Sequence, residues 1–104
     1  MTSSVLEQLE KTIRTLKQRL AGTREMRPGT LSVQYRNPKE KKTPFHQISY
    51  THKGKSRSEY VHPENLTALR CEIDAYRRFR SIVQELIALS IEASRLRHRS
   101  TRKD

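Results

Sequence analysis

The chain is short of most things that hold a small domain together. Tryptophan is absent, Cys71 is the only cysteine, and acidic side chains number 11 against 22 lysines and arginines. One cysteine excludes an intramolecular disulfide, and a cysteine-based zinc site would need ligands from a second chain. No stretch approaches the roughly 18 consecutive apolar residues of a membrane span. The opening Met1-Thr2-Ser3-Ser4 leads straight into a polar helical pattern without the apolar core of a secretion signal. The expectation is a soluble, cytoplasmic protein with no membrane partner. The scarcity of carboxylates excludes more. Glu59 is the only acid between Glu40 and Glu64, whereas a two-metal nuclease needs clustered carboxylates. His46, His52 and His62 have no cysteine or paired carboxylate at ligand spacing. Cys71 lies beside Glu72 and Asp74, a setting that does not lower a thiol pKa. No catalytic residue, metal site or cofactor is expected.

What the chain has in excess is positive charge, a net +11 over 104 residues. With 33% apolar and 32% charged residues, the core of a single domain is small, and oligomerisation is expected to supplement it. A surplus of cations concentrated in a few segments points to a polyanionic partner.

The pattern along the chain is helix, small sheet, long helix, an α+β fold. Leu6, Leu9, Ile13, Leu16 and Leu20 step by three and four, which predicts a helix over residues 4–21. Ser4 and Glu7 have capping-box spacing, and Gly22 stands where a left-handed C-cap is wanted. From Thr30 the period changes to two, with Leu31, Val33 and Tyr35 alternating with Ser32, Gln34 and Arg36. Asn37 to Pro44 reads as a polar loop, Phe45 to Thr51 as a second strand, and Lys55 to Val61 as a third. His52-Lys53-Gly54 fits a three-residue hairpin loop with Gly54 in a G1 bulge. In that register Tyr60 joins Ile48 and Tyr50 on the packed side, and Lys55 and Arg57 share the other. A basic antiparallel sheet is thus expected over residues 30–61.

Pro63 suits the first position of a helix, and Val61 and Leu66 have the spacing of a hydrophobic staple. The helix predicted over 63–98 would span about 50 Å, against a radius of gyration near ~13 Å for a compact domain of this length. It either kinks or reaches past its own domain. Leu66, Leu69, Ile73 and Tyr76 form one apolar stripe. Phe79, Ile82, Leu86, Leu89, Ala93 and Leu96 form another, offset as a stammer would produce. The second broadens to include Val83, Ile87 and Ile91, wide enough to pack against more than one helix. Leu6, Leu9, Ile13, Leu16, Ile82, Leu86 and Leu89 are the expected surface between subunits of a homodimer.

Two segments are candidates for phosphate contact. Residues 27–62 hold eight lysines or arginines and two glutamates. Arg36, Lys39, Lys41, Lys42, Lys53, Lys55 and Arg57 are cations on long stems, interleaved with Ser32, Gln34, Gln47 and Ser49, which could fix register on a backbone. An antiparallel ribbon also suits the width of a DNA major groove. The competing explanation is a solvated basic surface. The tail, residues 99–104 with the preceding turn, offers Arg95, Arg97, Arg99, Arg102 and Lys103; cations late in a helix also complement its dipole. Tyr76-Arg77-Arg78-Phe79-Arg80 places arginines beside aromatics, but at core spacing, which favours a structural role.

Gly29-Thr30-Leu31-Ser32-Val33-Gln34-Tyr35-Arg36, Gly54-Lys55-Ser56-Arg57-Ser58-Glu59-Tyr60-Val61 and Tyr76-Arg77-Arg78-Phe79-Arg80 together resemble an uncharacterised family of small prokaryotic proteins, over roughly residues 27–90. The resemblance implies a helix, small sheet, long helix architecture and an occurrence around mobile genetic elements. It brings no established activity. Members of that family carry a Cys-rich loop between the first two strands, suggestive of a metal knuckle. Here the loop, Asn37 to Pro44, has lysines and no cysteine.

The resulting expectation is a dimeric, non-enzymatic nucleic-acid-binding protein, an accessory or regulatory factor presenting a basic hairpin. Tyr35, Tyr50 and Tyr60, read as core residues, leave no exposed ring for unstacked bases. That favours duplex DNA over RNA. An RNA-binding subunit of a larger nucleoprotein machine is the alternative within the class. A helical adaptor acting through protein contacts is the alternative outside it.

Overall fold

The computed structural model describes residues 2–37, 39 and 42–101, with side chains for residues 4–37, 39 and 44–99. Helix α1 (Thr2–Ala21) is followed by strands β1 (Thr30–Asn37), β2 (Lys42–His52) and β3 (Lys55–Val61). A 3₁₀ turn at Pro63–Asn65 then leads into α2 (Leu66–Thr101). The sheet is antiparallel in the order β1-β2-β3. The α+β architecture is the one the periodicities predict.

Several local details differ. α1 begins at Thr2, so Ser4 lies inside the helix rather than capping it. Gly22 ends α1 without a left-handed turn: positive φ among glycines is confined to Gly29 and Gly54. The Gly22 amide instead donates to the carbonyls of Gln18 and Arg19, and Thr23 donates to Leu20, a 3₁₀-type tightening that satisfies the last carbonyls. β2 begins at Lys42, drawing part of the expected loop into the ladder.

The hairpin register also differs. Lys53 (φ 53°) and Gly54 (φ 77°) both take positive φ, and His52 pairs with Lys55. This is a two-residue loop of the type that matches strand twist. Shortening the loop by one residue moves every side chain of β3 to the opposite face. Glu59 therefore stands opposite Ile48, Arg57 opposite Tyr50, and Tyr60 opposite Gln47. Lys55 and Arg57 share the face of Ile48, whereas Tyr60 lies on the reverse.

The chain divides into two compact units. One comprises Arg24 to Arg77, that is, the linker, the sheet and the first turns of α2. Its core is Ile48, Val61 and Ile73, with Leu31, Leu66 and Leu69 packed against them. Val61 and Leu66 meet in that cluster across the Pro63 turn, as a staple requires. Fully burying a side chain such as Ile48, 1% exposed, contributes about 1.5–3 kcal/mol. The second unit comprises α1 through Thr23 and α2 from Arg78. Leu16, Ile82 and Ala93 are buried there, and Arg97 Nη1 donates to Glu10 Oε2 at 3.2 Å. α2 is one unbroken helix of 36 residues, about 54 Å long. Its change of stripe, between Tyr76 and Phe79, falls at the boundary between the units.

Two devices bind the linker to the sheet and to α2. At Gly29 the backbone (φ 148°) passes so close to the sheet that a Cβ would lie 2.7 Å from Ile48 Cγ1 and Cδ1. Just before it, the Arg27 amide donates to the Glu72 carbonyl at 3.0 Å. The Arg27 guanidinium lies 5.1 Å from the Tyr50 ring centroid and pairs with Glu59 Oε1 at 2.8 Å. The Tyr50 hydroxyl donates to the other Glu59 oxygen. Glu59 is thus held by two donors from different segments. The bond from Tyr50, and then that from Arg27, keep its carboxyl below the usual range, because both favour the charged form. The same bond raises the Tyr50 phenol.

Gly29→Ala should destabilise the fold by about 1–3 kcal/mol, since both the φ value and the buried Ile48 side chain oppose a methyl group. Gly22→Ala, whose Cβ would meet only carbonyls at 3.7 Å and 3.8 Å, should change stability by no more than about 1 kcal/mol. Urea denaturation of the two variants measures the contrast. Stability should also depend on pH through Glu59. Its folded pKa is depressed, so its contribution is complete above the unfolded value, about 4.3, and is lost as pH falls through the lower folded value. Glu59→Gln should flatten that acid limb in denaturation curves recorded across pH.

Candidate functional site

The hairpin turn decides which side chains each face of the sheet presents. The face toward α2 carries Leu31, Ile48 and Val61 in the core. Toward the turn, the same face continues with Tyr50, Arg57, His52 and Lys55. Every residue from Thr51 to Tyr60 is exposed, so Lys53, Lys55 and Arg57 stand in solvent at this end. Glu59 is the one carboxylate among the described residues of the strands, and Arg27 pairs with it.

At the opposite end of the sheet, where β1 turns toward β2, Arg36 and Lys39 are exposed. The Arg36 guanidinium lies 5.7 Å from the Phe45 ring centroid. Lys41 lies outside the described residues, as does the side chain of Lys42, whose backbone pairs with Asn37 at the end of the β1–β2 ladder. The expected cations of the sheet therefore fall at both ends rather than in one cluster. β2, which runs between these ends, is 11 residues long, about 35 Å at strand rise.

The outer face, away from α2, is polar and aromatic. Ser49 and Ser58 share a hydrogen bond at 3.1 Å, as do Thr51 and Ser56 at 3.3 Å. Gln34 donates to the Ser32 hydroxyl at 3.3 Å. Phe45 and Tyr60 lie 6.1 Å apart, ring to ring, and His62 meets Tyr60 edge-on at 4.9 Å. Tyr60 is 49% exposed. The expectation that Tyr35, Tyr50 and Tyr60 are core residues is therefore corrected. Tyr60 faces outward, Tyr35 is exposed on the other face, and only Tyr50 is half-buried, beneath Arg27. The two-residue turn is the physical reason for Tyr60.

In the second unit, Arg95, Arg97 and Arg99 are exposed on the last turns of α2, and Arg97 is engaged by Glu10. Arg102 and Lys103 lie outside the described residues. Of the residues expected between subunits, Leu16 and Ile82 are buried within the chain. Leu6, Leu9, Ile13, Leu86 and Leu89 are half-buried. Among the described residues of this unit, the large apolar side chains left exposed are Val5, Ile87 and Ile91. Ile87 and Ile91, four apart, form a short stripe on α2. Tyr76 and Phe79 are half-buried, while Arg77, Arg78 and Arg80 are exposed.

Sequence reasoning missed Arg27 as the partner of Glu59, and Tyr60 as a surface residue. The Lys-Gly dipeptide was the available signal for the second, since it also fits a two-residue turn. Among the described residues, no three His, Cys, Asp or Glu side chains are grouped so as to hold a metal ion. None of the described helices is long and apolar enough to cross a membrane.

No curated protein and no solved structure matches the chain significantly. A family model, described as a domain of unknown function, DUF6788, matches residues 6–70. The match takes in α1 from Leu6, the linker, the whole sheet and the first turn of α2, and stops before Tyr76-Arg77-Arg78-Phe79-Arg80. Because it covers more than half of the sequence, the chain belongs to the DUF6788 family.

Proposed function

We propose that this chain is a non-enzymatic nucleic-acid-binding protein, acting as a dimeric accessory or regulatory factor. Its setting would be that of small prokaryotic proteins found around mobile genetic elements. The observation that carries the reading is the placement of charge on the sheet. Lys53, Lys55 and Arg57 stand exposed at one end, Arg36 and Lys39 at the other, and the one acid among the described sheet residues is occupied by Arg27. Exposed cations on long stems at both ends of the sheet suit a polyphosphate backbone. DNA is the first candidate partner and RNA the alternative.

The turn adds a second support. Lys53 occupies a left-handed position where Asn or Gly would be the residue for folding, and a residue with a Cβ there costs roughly 1 kcal/mol. A lysine here places a cation in the turn of the hairpin. Ile87 and Ile91 support a dimer, because an apolar pair left in solvent on a helix is the kind of surface a second copy covers.

Binding should weaken steeply with salt, since each neutralised phosphate releases counterions. Replacing Lys53, Lys55 and Arg57 by Ala should weaken it and lower the salt slope by about 2–3, with helix content unchanged. Lys53→Asn separates function from folding: it should raise stability by about 0.5–1 kcal/mol while lowering affinity. Unaltered affinity in the triple variant overturns the hairpin assignment. For the dimer, sedimentation velocity of an Ile87→Glu, Ile91→Glu variant should give a monomer with native circular dichroism. A monomeric wild type overturns the pairing.

A further inference from the structure

We infer that the outer face of the sheet is a stacking platform for unpaired bases, and that the nucleic acid it takes is single-stranded. This inference rests on the nucleic-acid reading above and specifies its substrate. The face carries Arg36, Phe45, Tyr60 and His62 in one connected patch. The Arg36 guanidinium lies over Phe45, Phe45 contacts Tyr60, and His62 meets Tyr60 edge-on. The patch spans all three strands and continues past the end of β3. Gln34 and Gln47 lie beside it, Gln34 opposite Phe45 and Gln47 opposite Tyr60.

Three features distinguish this patch from ordinary cross-strand packing. An aromatic ring buries 150–250 Å² when it joins a core, yet Tyr60 remains 49% exposed above a sheet whose other side holds the core. No described side chain on the outer face is acidic, so a phosphodiester backbone meets no repulsion there. Arg36 and Lys39, at the same end of the sheet, supply charge of the complementary sign.

A duplex cannot use an aromatic plane, because its bases are already stacked and present only their edges. A single strand can, and ring stacking tolerates any base. Gln34 and Gln47 each offer a donor and an acceptor to the edge of a base resting on the rings. The hydroxyl pairs Ser49–Ser58 and Thr51–Ser56 extend a polar track from the rings toward the turn that carries Lys53. A protein partner that covered this face would have to desolvate these hydroxyls and amides, whereas a solvated strand need not.

The test uses the full chain and three fluorescein-labelled probes of equal length: oligo-dT, its duplex with oligo-dA, and an abasic deoxyribose-phosphate strand. Oligo-dT should bind at least about tenfold more tightly than the abasic strand or the duplex. Tyr60→Ala should weaken oligo-dT binding roughly 10- to 100-fold and leave the salt slope unchanged, because no cation is lost. Tyr60→Phe should retain affinity. Since the chain has no tryptophan, tyrosine emission reports stacking directly: oligo-dT should quench it, and quench it less in Tyr60→Phe.

Unchanged affinity in Tyr60→Ala, together with loss in the Lys53, Lys55, Arg57 variant, overturns the platform while the hairpin reading stands. Preference for the duplex, or equal binding of the abasic strand, also overturns it. Failure of all three probes to bind removes both proposals. Self-association abolished by Tyr60→Ala would assign this face to a second copy and overturn the inference.

Discussion

The turn at Lys53 and Gly54 is the constraint on which the sheet depends. Both residues take positive φ, closing the hairpin with two residues and fixing the pairing of His52 with Lys55. Because side chains alternate along a strand, that one pairing decides the facing of all of β3. It brings Val61 into the core beside Ile48 and sets Glu59 within reach of Arg27 and Tyr50. It also turns Tyr60 outward. A loop one residue longer would have turned the tyrosine to the face of Ile48 and the glutamate to the outer face.

The core that results is small and depends on close approach. Ile48 sits at its centre, and the linker passes it at Gly29 with no space for a methyl group. The linker is then held by polar contacts, Arg27 to the Glu72 carbonyl, to Glu59 and over Tyr50. These contacts are few, and the exposed ion pair among them is weak by itself. Their role is to fix the approach of residues 24–29, so that apolar contact at Ile48 can form.

Much of this architecture was legible in the sequence. Leu6 to Leu20 marked α1, and the period of two from Thr30 marked β1. Pro63 with the Val61–Leu66 staple marked the entry to α2. These signals are local, and each repeats within a few residues. The hairpin register was not legible, because His52-Lys53-Gly54 fits two loops that differ by one residue and energetics elsewhere choose between them. Gly22 illustrates the same limit at a helix end: glycine permits a left-handed cap but does not require one. Arg27 could not be assigned to Glu59, 32 residues away, before the register was known. The cations of the sheet were visible as a group, yet their separation to opposite ends follows only from the fold.

The exposure of every residue from Thr51 to Tyr60 gives the two ends of the sheet different mechanical characters. At the Ile48 rung, strand pairing is reinforced by side chains buried against α2. Toward the turn it rests on backbone hydrogen bonds and two hydroxyl pairs. The hairpin is therefore a finger with an anchored base and a compliant tip, its outer rungs opening at far lower cost than its inner ones. On the proposed reading, a compliant tip that carries lysines can follow the path of a phosphate backbone without requiring one geometry of it, and the anchored end, with its rings, is where discrimination would be made.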